Sequence, residues 1–112
     1  MDYRDEMVLV ATTSEEGRES IIAIGSYSRV PNTDLAEVAF LVRDDWQNRG
    51  IGTTLFHYLV EIAQKYGITG FTAWVLADNN RMIHIFKKSG YPMKYRIEGD
   101  LYHVNLELKK SV

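Results

Sequence analysis

The stretch 42-VRDDWQNRGIGTTLF-56 joins an apolar run to an amphipathic one, and this junction governs how the chain folds. The run that ends in it, Asp34–Val42, is short and apolar, which predicts a β-strand. The residues after it, Gly50–Tyr66, place apolar side chains at three- and four-residue intervals, which predicts an amphipathic helix. Gly67 fits the position just past the end of that helix. The junction is therefore a strand-to-helix connection.

Four residues at this connection suit an anion. The first N–H groups of a helix have no partner within it and carry partial positive charge. Gly50 and Gly52 leave the backbone bare there, so that a phosphate can approach it, and Gln47 and Arg49 add side-chain donors. The alternative is that the two glycines only ease a tight turn and close packing. Neither a G-x-G-x-x-G fingerprint nor a P-loop lysine is present.

Six strands and two helices are predicted over the chain, in the order β-β-β-α-β-α-β-β. The strands are Glu6–Thr13, Glu19–Arg29, Asp34–Val42, Gly70–Leu76, Pro92–Glu98 and Leu101–Leu108; the helices are Gly50–Tyr66 and a shorter one capped by Asp78 or Asn79 that runs to Ser89. No repeat, linker or low-complexity segment divides the sequence, so we expect one domain over residues 1–112. The third strand is apolar on both faces apart from Glu37, which predicts cover on both sides. Trp74, within the fourth strand, is expected in the core.

Composition limits the classes of function. The chain has 112 residues, 46% of them hydrophobic, and a net charge of -2, which gives no broad attraction to nucleic acid or an anionic membrane. It has no cysteine, so a disulfide, a thiolate nucleophile and a cysteine metal site are excluded. His57 and Glu61 lie one helical turn apart without a third ligand, and we expect no metal. No signal peptide or membrane span is evident, and a cytoplasmic location is expected.

Two motifs resemble those of one superfamily. Val42-x4-Gln47-x-x-Gly50-x-Gly52 resembles the Q/R-x-x-G-x-G/A pyrophosphate motif of the GNAT acetyltransferases, and 79-NNRMIHIFKKSGY-91 resembles their second signature. The stretches at residues 2–11 and 36–53 look most like the protein-lysine acetyltransferase domains associated with acyl-CoA synthetases. The resemblance implies an α+β fold of the GNAT type, with a mixed, mostly antiparallel sheet and helices on its faces.

The resemblance also implies an acetyl-CoA site. The main-chain N–H groups from Gln47 to Thr53 would hold the CoA pyrophosphate; these residues are Gln47, Asn48, Arg49, Gly50, Ile51, Gly52 and Thr53. Leu41 and Val42 would meet the pantetheine arm, and Asn79 would contact CoA from the second helix. Acetyl-CoA is then the co-substrate. The acceptor would be an amine, on a small molecule or on a protein lysine.

Glu37 is the candidate general base. It lies in the least polar stretch of the chain, where loss of hydration would make its carboxylate a stronger base near neutral pH. A solvent-facing or Arg-paired glutamate is the alternative. The family's usual general acid, a Tyr in the last helix, is replaced by Phe86, which has no proton to give, and we assign no acid. Without cysteine, the amine would attack the bound thioester directly.

Two alternatives to the enzyme stay open at this point. The first is a catalytically incomplete module that binds acyl-CoA or regulates, and the second is an α/β domain with a structural role only. Family members usually carry one strand and one or two helices before the strand at Met7, and this chain begins at that strand. We therefore expect either a fragment of a longer protein or a homodimer that covers an exposed apolar sheet face.

Overall fold

The computed structural model describes residues 5–109, and the predicted order of elements is confirmed. The strands are β1 Glu6–Glu15, β2 Arg18–Arg29, β3 Leu35–Val42, β4 Gly70–Leu76, β5 Met93–Glu98 and β6 Leu101–Glu107; the helices are α1 Ile51–Lys65 and α2 Asn80–Lys88. A single 3-10 turn, Asp44–Trp46, lies between β3 and α1. β1 extends two residues beyond its predicted end because the chain reverses at Glu16–Gly17, where both residues are left-handed.

The strands form one six-stranded sheet in the order β1-β2-β3-β4-β6-β5. Every neighbouring pair is antiparallel except β3 and β4, which are parallel. This is the mixed, mostly antiparallel sheet that the resemblance implied. The β3–α1–β4 and β4–α2–β5 connections both cross the sheet in the same direction. Since such crossovers are right-handed, both helices lie on the same face.

The core lies between that face and the two helices. Phe56 of α1 is fully buried at its centre, with the rings of Phe86, Phe40, Phe71 and Tyr91 at centroid distances of 5.7, 6.1, 6.3 and 6.4 Å. Such offset and edge-to-face pairs add to the free energy gained from burying the rings. Neither helix among residues 5–109 has the length and apolar character needed to span a membrane.

The opposite face of the sheet, here called the open face, has no helix over it in the part of the chain that the structure describes. Its side chains include Glu37, Ala39 and Leu41 on β3 and Thr72, Trp74 and Leu76 on β4. The expectation that β3 is covered on both sides is therefore wrong for residues 5–109, since Leu41 is 70% exposed. Trp74 is likewise outside the core and 46% exposed, because strand alternation places it on the open face.

The β3–β4 pair separates after three residues. Leu35, Ala36 and Glu37 pair with Gly70, Phe71 and Thr72, and beyond them β3 and β4 share no register. β3 nevertheless continues to Val42 alongside β2. The sheet thus opens as a wedge, with its tip at the Glu37–Thr72 pair and its mouth at the end of β3.

Arg43 ties the loop after β3 to the end of β1. Its Nη1 and Nη2 donate to the Glu15 carboxylate at 2.9 and 3.2 Å, and its Nε and Nη2 donate to Asp45 at 2.6 and 2.8 Å. Hydrogen bonding to Arg43 lowers the pKa of Glu15 below its ordinary value of 4.5 and that of Asp45 below 3.8. This pair of contacts from Arg43 to Glu15 and Asp45, called the Arg43 fork below, therefore favours the ionised carboxylates and fixes the loop that leads to α1.

The Arg43 fork predicts an acid-dependent stability difference. A carboxylate with a lowered pKa stabilises the fold above its unfolded pKa, and this contribution is lost as the pH falls through the folded pKa. We expect Arg43→Gln to lower the free energy of unfolding at neutral pH, and the difference from wild type to shrink as the pH falls below the ordinary pKa values of 4.5 and 3.8. Urea unfolding at several pH values measures it. Arg18→Gln, an exposed cation without a salt bridge among residues 5–109, is the control; a pH-independent difference would contradict the prediction.

Candidate active site

Helix α1 begins with three N–H groups that have no hydrogen-bond partner among residues 5–109. Gly50 is its N-cap and adopts the left-handed conformation, with φ of 80°, and no side chain within residues 5–109 caps the helix. The first bond of the helix runs from the Thr54 N–H to the Gly50 carbonyl at 3.0 Å. The N–H groups of Ile51, Gly52 and Thr53 are therefore free to bind an anion.

A cavity of about 560 Å³ lies at this helix start. It is lined by residues of the β3–α1 junction and of α2, namely Val42, Trp46, Gln47, Asn48, Gly50, Ile51, Gly52, Thr53, Asn80, Arg81, His84 and Ile85. The cavity, called the cradle below, joins the two segments that carry the sequence motifs. Most of the junction residues predicted to hold a pyrophosphate line it.

The side chain of Gln47 is used within the protein. Its Nε2 donates to the Val42 carbonyl at 3.1 Å and to Asp44 Oδ1 at 3.2 Å, and its Oε1 accepts from Arg81 Nη1. The amide therefore connects the end of β3 to α2 and fixes the loop between them. Its side chain is committed to these bonds, so the sequence-based expectation that it points a free donor at the phosphate is wrong.

Arg81 is a residue that sequence reasoning missed. It lies in the first turn of α2, lines the cradle and donates to Gln47, and no carboxylate among residues 5–109 forms a salt bridge with it. His84 follows it one turn later and also lines the cradle. The available signal was the helical spacing after Asn79: residues three and four apart share a face, so 81 and 84 or 85 point the same way.

Arg49 lies at the edge of the cradle. Its guanidinium carbon is 4.5 Å from the centroid of the Trp46 ring, a cation–π contact that positions both side chains. Trp46 also lines the cradle. The Arg49 side chain instead borders a second groove of about 480 Å³ between β1 and α1.

The two glycines have different structural roles. Gly50 requires the left-handed region, where a side chain costs about 1–2 kcal/mol. Gly52 is buried, and a Cβ there would lie 3.0 Å from Ile85 Cδ1, so its small size lets α2 approach α1. Close packing, the alternative considered from the sequence, is therefore part of the explanation for Gly52. Both residues also line the cradle.

Asn79 caps helix α2. Its Oδ1 accepts from the Met82 N–H at 3.2 Å, which satisfies one of the donors at that helix start. The next residue, Asn80, lines the cradle. A contact between Asn79 and CoA stays a prediction.

The wedge leads from the cradle to Glu37. The Val30 N–H donates to the Leu35 carbonyl, and the Arg43 N–H donates to the Ile22 carbonyl. The backbone N–H and C=O groups of odd-numbered β3 residues therefore bond to β2, and those of even-numbered residues point toward β4. The backbone groups of Phe40 therefore face the gap, between Glu37 and Val42. Val42 lies five residues along the strand from Glu37, or about 17 Å. An extended chain laid along β3 would reach from the cradle to the wedge tip.

Glu37 lies at the tip on the open face, between Ser28 of β2 and Thr72 of β4 in the register. It is exposed, so the expectation that its carboxylate loses hydration is wrong. The reason is that β3 has cover on one face, and alternation turns Glu37 to the other. A shallow depression of about 430 Å³ beside it is lined by residues of β1, β2 and β3.

Phe86, at the position of the family's Tyr, is fully buried against Phe56. It serves the core and donates no proton. Among residues 5–109, no group of three or more His, Asp or Glu side chains is placed to hold a metal ion.

The sequence is similar to those of curated acetyltransferases. The chain is 41% identical over 91 residues to "Acetyltransferase Pat" of Mycolicibacterium smegmatis, covering 80% of this chain and 27% of that protein. It is 28% identical over 82 residues to an acetyltransferase of Pseudomonas aeruginosa, covering 73% of this chain and 44% of the relative. The chain thus spans less than half the length of these curated relatives.

Solved structures share the fold. The GNAT domain of S. lividans PAT superposes with a TM-score of 0.80 at 33% identity, covering 96% of this chain and 63% of that one. A cAMP-binding acyltransferase from Mycobacterium smegmatis superposes with a TM-score of 0.77 at 33% sequence identity, and the match covers 96% of this chain and 33% of that one. An N-acetyltransferase from Thermoplasma acidophilum in complex with coenzyme A superposes with a TM-score of 0.75 at 18% sequence identity, and the match covers 92% of this chain and 61% of that one. At this identity the similarity shows a shared fold only.

A family profile agrees with the motifs and the fold. The profile described as the acetyltransferase (GNAT) family matches residues 2–91, which is most of the chain. The free amides at α1, the wedge between β3 and β4 and this match are consistent with one another. The chain belongs to the GNAT acetyltransferase family.

Proposed function

We propose that this chain transfers an acetyl group from acetyl-CoA to a primary amine, with a protein lysine as the acceptor class. The observation that carries the proposal is the set of three unpartnered N–H groups at α1, placed at the mouth of a wedge whose tip holds Glu37. A diphosphate on those amides directs the acyl arm along β3 toward the carboxylate. Family membership and the similarity to Acetyltransferase Pat support this choice.

The residues of the cradle fit CoA by their chemistry. The N–H groups of Ile51, Gly52 and Thr53 suit the diphosphate, and Arg81 supplies a guanidinium from the facing helix. Val42 and Leu41 border the path of the pantetheine arm, and the exposed backbone groups of Phe40 can pair with its amides.

Glu37 is proposed to take the proton of the acceptor. The neutral amine attacks the thioester carbonyl carbon, the new C–N bond forms, and the C–S bond then breaks to release the CoA thiolate. The Glu37 carboxylate takes one proton from the ammonium before the attack, directly or through one water, and the second proton that the nitrogen loses passes to the released thiolate. Free thiols have a pKa near 8.5, so the thiolate leaves without an acid in the place of Phe86.

A module that binds acyl-CoA without turnover is the second candidate. The exposure of Glu37 and the presence of Phe86 favour it, because the carboxylate is not enclosed and the phenyl ring has no proton to donate. Both candidates require CoA binding. Release of free thiol from acetyl-CoA in the presence of lysine peptides separates them.

Substitution of the proposed base tests the enzymatic assignment. We expect Glu37→Gln to lower kcat by at least ~10², because general-base catalysis contributes ~10²–10⁴-fold. The Kd for CoA, measured by calorimetry, should stay near wild type because the cradle is about 17 Å away along the strand. Glu61→Gln, an exposed glutamate on α1, is the matched control. A kcat unchanged by Glu37→Gln would remove this residue from the mechanism.

Substitution of Arg81 tests the cradle. We expect Arg81→Gln to raise the Kd for CoA about tenfold, since it removes a charge-assisted phosphate contact and the bond to Gln47. Arg81→Lys keeps the charge but loses the fork geometry, so an intermediate Kd is expected. Lys88→Gln, at the other end of α2, is the control and should bind CoA as wild type does. Equal affinity of Arg81→Gln and wild type would exclude Arg81 from the site.

A further inference from the structure

We propose that the indole of Trp74 forms one wall of the acceptor site and binds the cationic primary amine before it loses its proton at Glu37. This inference rests on the proposed function and names a residue that selects the acceptor. It is carried by the position, exposure and stacking of Trp74 on the open face.

One face of the Trp74 ring is already covered. His103, its direct partner on β6, stacks on it with ring centroids 4.2 Å apart and an interplanar angle of 18°. Arg96 donates toward His103 Nδ1 at 3.2 Å and pairs with Glu98 at 3.7 Å, so the imidazole is held on its far side. The indole is therefore held upright on the sheet. One of its two ring faces lies against His103 of β6, and the opposite ring face points across the sheet away from β6.

The other face of the ring is turned toward β3. In the sheet, β4 lies between β6 and β3, so the side of the indole opposite His103 looks across the wedge. The register between β3 and β4 ends at Glu37 and Thr72, and the next side chains on the open face are Ala39 on β3 and Trp74 on β4. Ala39 offers only a methyl group, and among residues 5–109 Trp74 is 46% exposed, so the indole is open to solvent there.

Three side chains on the open face outline a slot: Trp74 forms its aromatic wall, Ala39 its small floor, and Glu37 places a carboxylate at one end. Trp74 lies one strand across and two residues along from Glu37, which is about 8 Å between Cα atoms before the wedge opens further. An ammonium between the two side chains can lie within about 6 Å of the ring centroid, the range of a cation–π contact. It also meets the negative charge of Glu37 there. The slot therefore favours a cationic amine on a slender carbon chain over a neutral or bulky acceptor.

The kinetic test separates acceptor binding from chemistry. In acetyl transfer to a lysine peptide, we expect Trp74→Leu to raise KM for the peptide about tenfold, as loss of about 1.4 kcal/mol of binding does. Trp74→Phe keeps an aromatic face and should recover most of that loss. The Kd for CoA should not change in either variant. Tyr58→Leu, an exposed aromatic on α1, is the control. An unchanged KM in a folded Trp74→Leu protein overturns the proposal.

A second measurement does not depend on turnover. The chain has two tryptophans, so its NMR spectrum holds two indole N–H signals, and Trp46→Phe assigns them. We expect n-butylammonium to shift the Trp74 signal saturably in CoA-bound protein, and 1-butanol to leave it unchanged. Equal effects of the two compounds, or no effect, overturn the proposal. If the ammonium binds at Trp74 and no acetyl transfer occurs, the proposed function fails while the cation site is upheld.

Discussion

The site depends on one side-chain amide that bridges three elements. Gln47 donates to the last carbonyl of β3 and accepts from Arg81 of α2, while the loop it belongs to leads into α1. This bridge holds the end of the strand, the bare start of one helix and the first turn of the other at fixed positions. Without it, only the packing of α1 and α2 in the core would hold the three free amides in position relative to the wedge.

The Gln47 bridge fixes where the elements of the site lie, and the course of β3 sets the direction in which an extended ligand would run from the cradle. β3 is shared between an intact antiparallel ladder with β2 and a parallel ladder with β4 that ends at Glu37. Backbone groups are rarely left unpaired within a sheet, so a strand edge that opens in this way is suited to a ligand with amides of its own. The same opening places one carboxylate at the tip and leaves the open face accessible beside it.

Several features of the site were readable from local sequence patterns. The order and approximate bounds of the strands and helices follow from periodicity and turn residues. The start of α1 follows from Gly50, which the structure places at the N-cap. The family follows from two motifs about 30 residues apart. Each of these signals depends on residues that are close in sequence, and therefore on backbone preferences that hold before any long-range contact forms.

What the sequence alone determined is the set of elements and the helix start without side-chain cover after Gly50, since helix periodicity and the bare backbone of glycine are local properties. Tertiary structure decided which strand face is buried, and that choice reversed two expectations: Glu37 and Trp74 are exposed because both helices pack on the other face. It also brought Arg81 to Gln47 and Trp74 to His103, pairs that are 34 and 29 residues apart. Such contacts follow from strand order and helix packing, and no pattern in a single stretch of sequence encodes them.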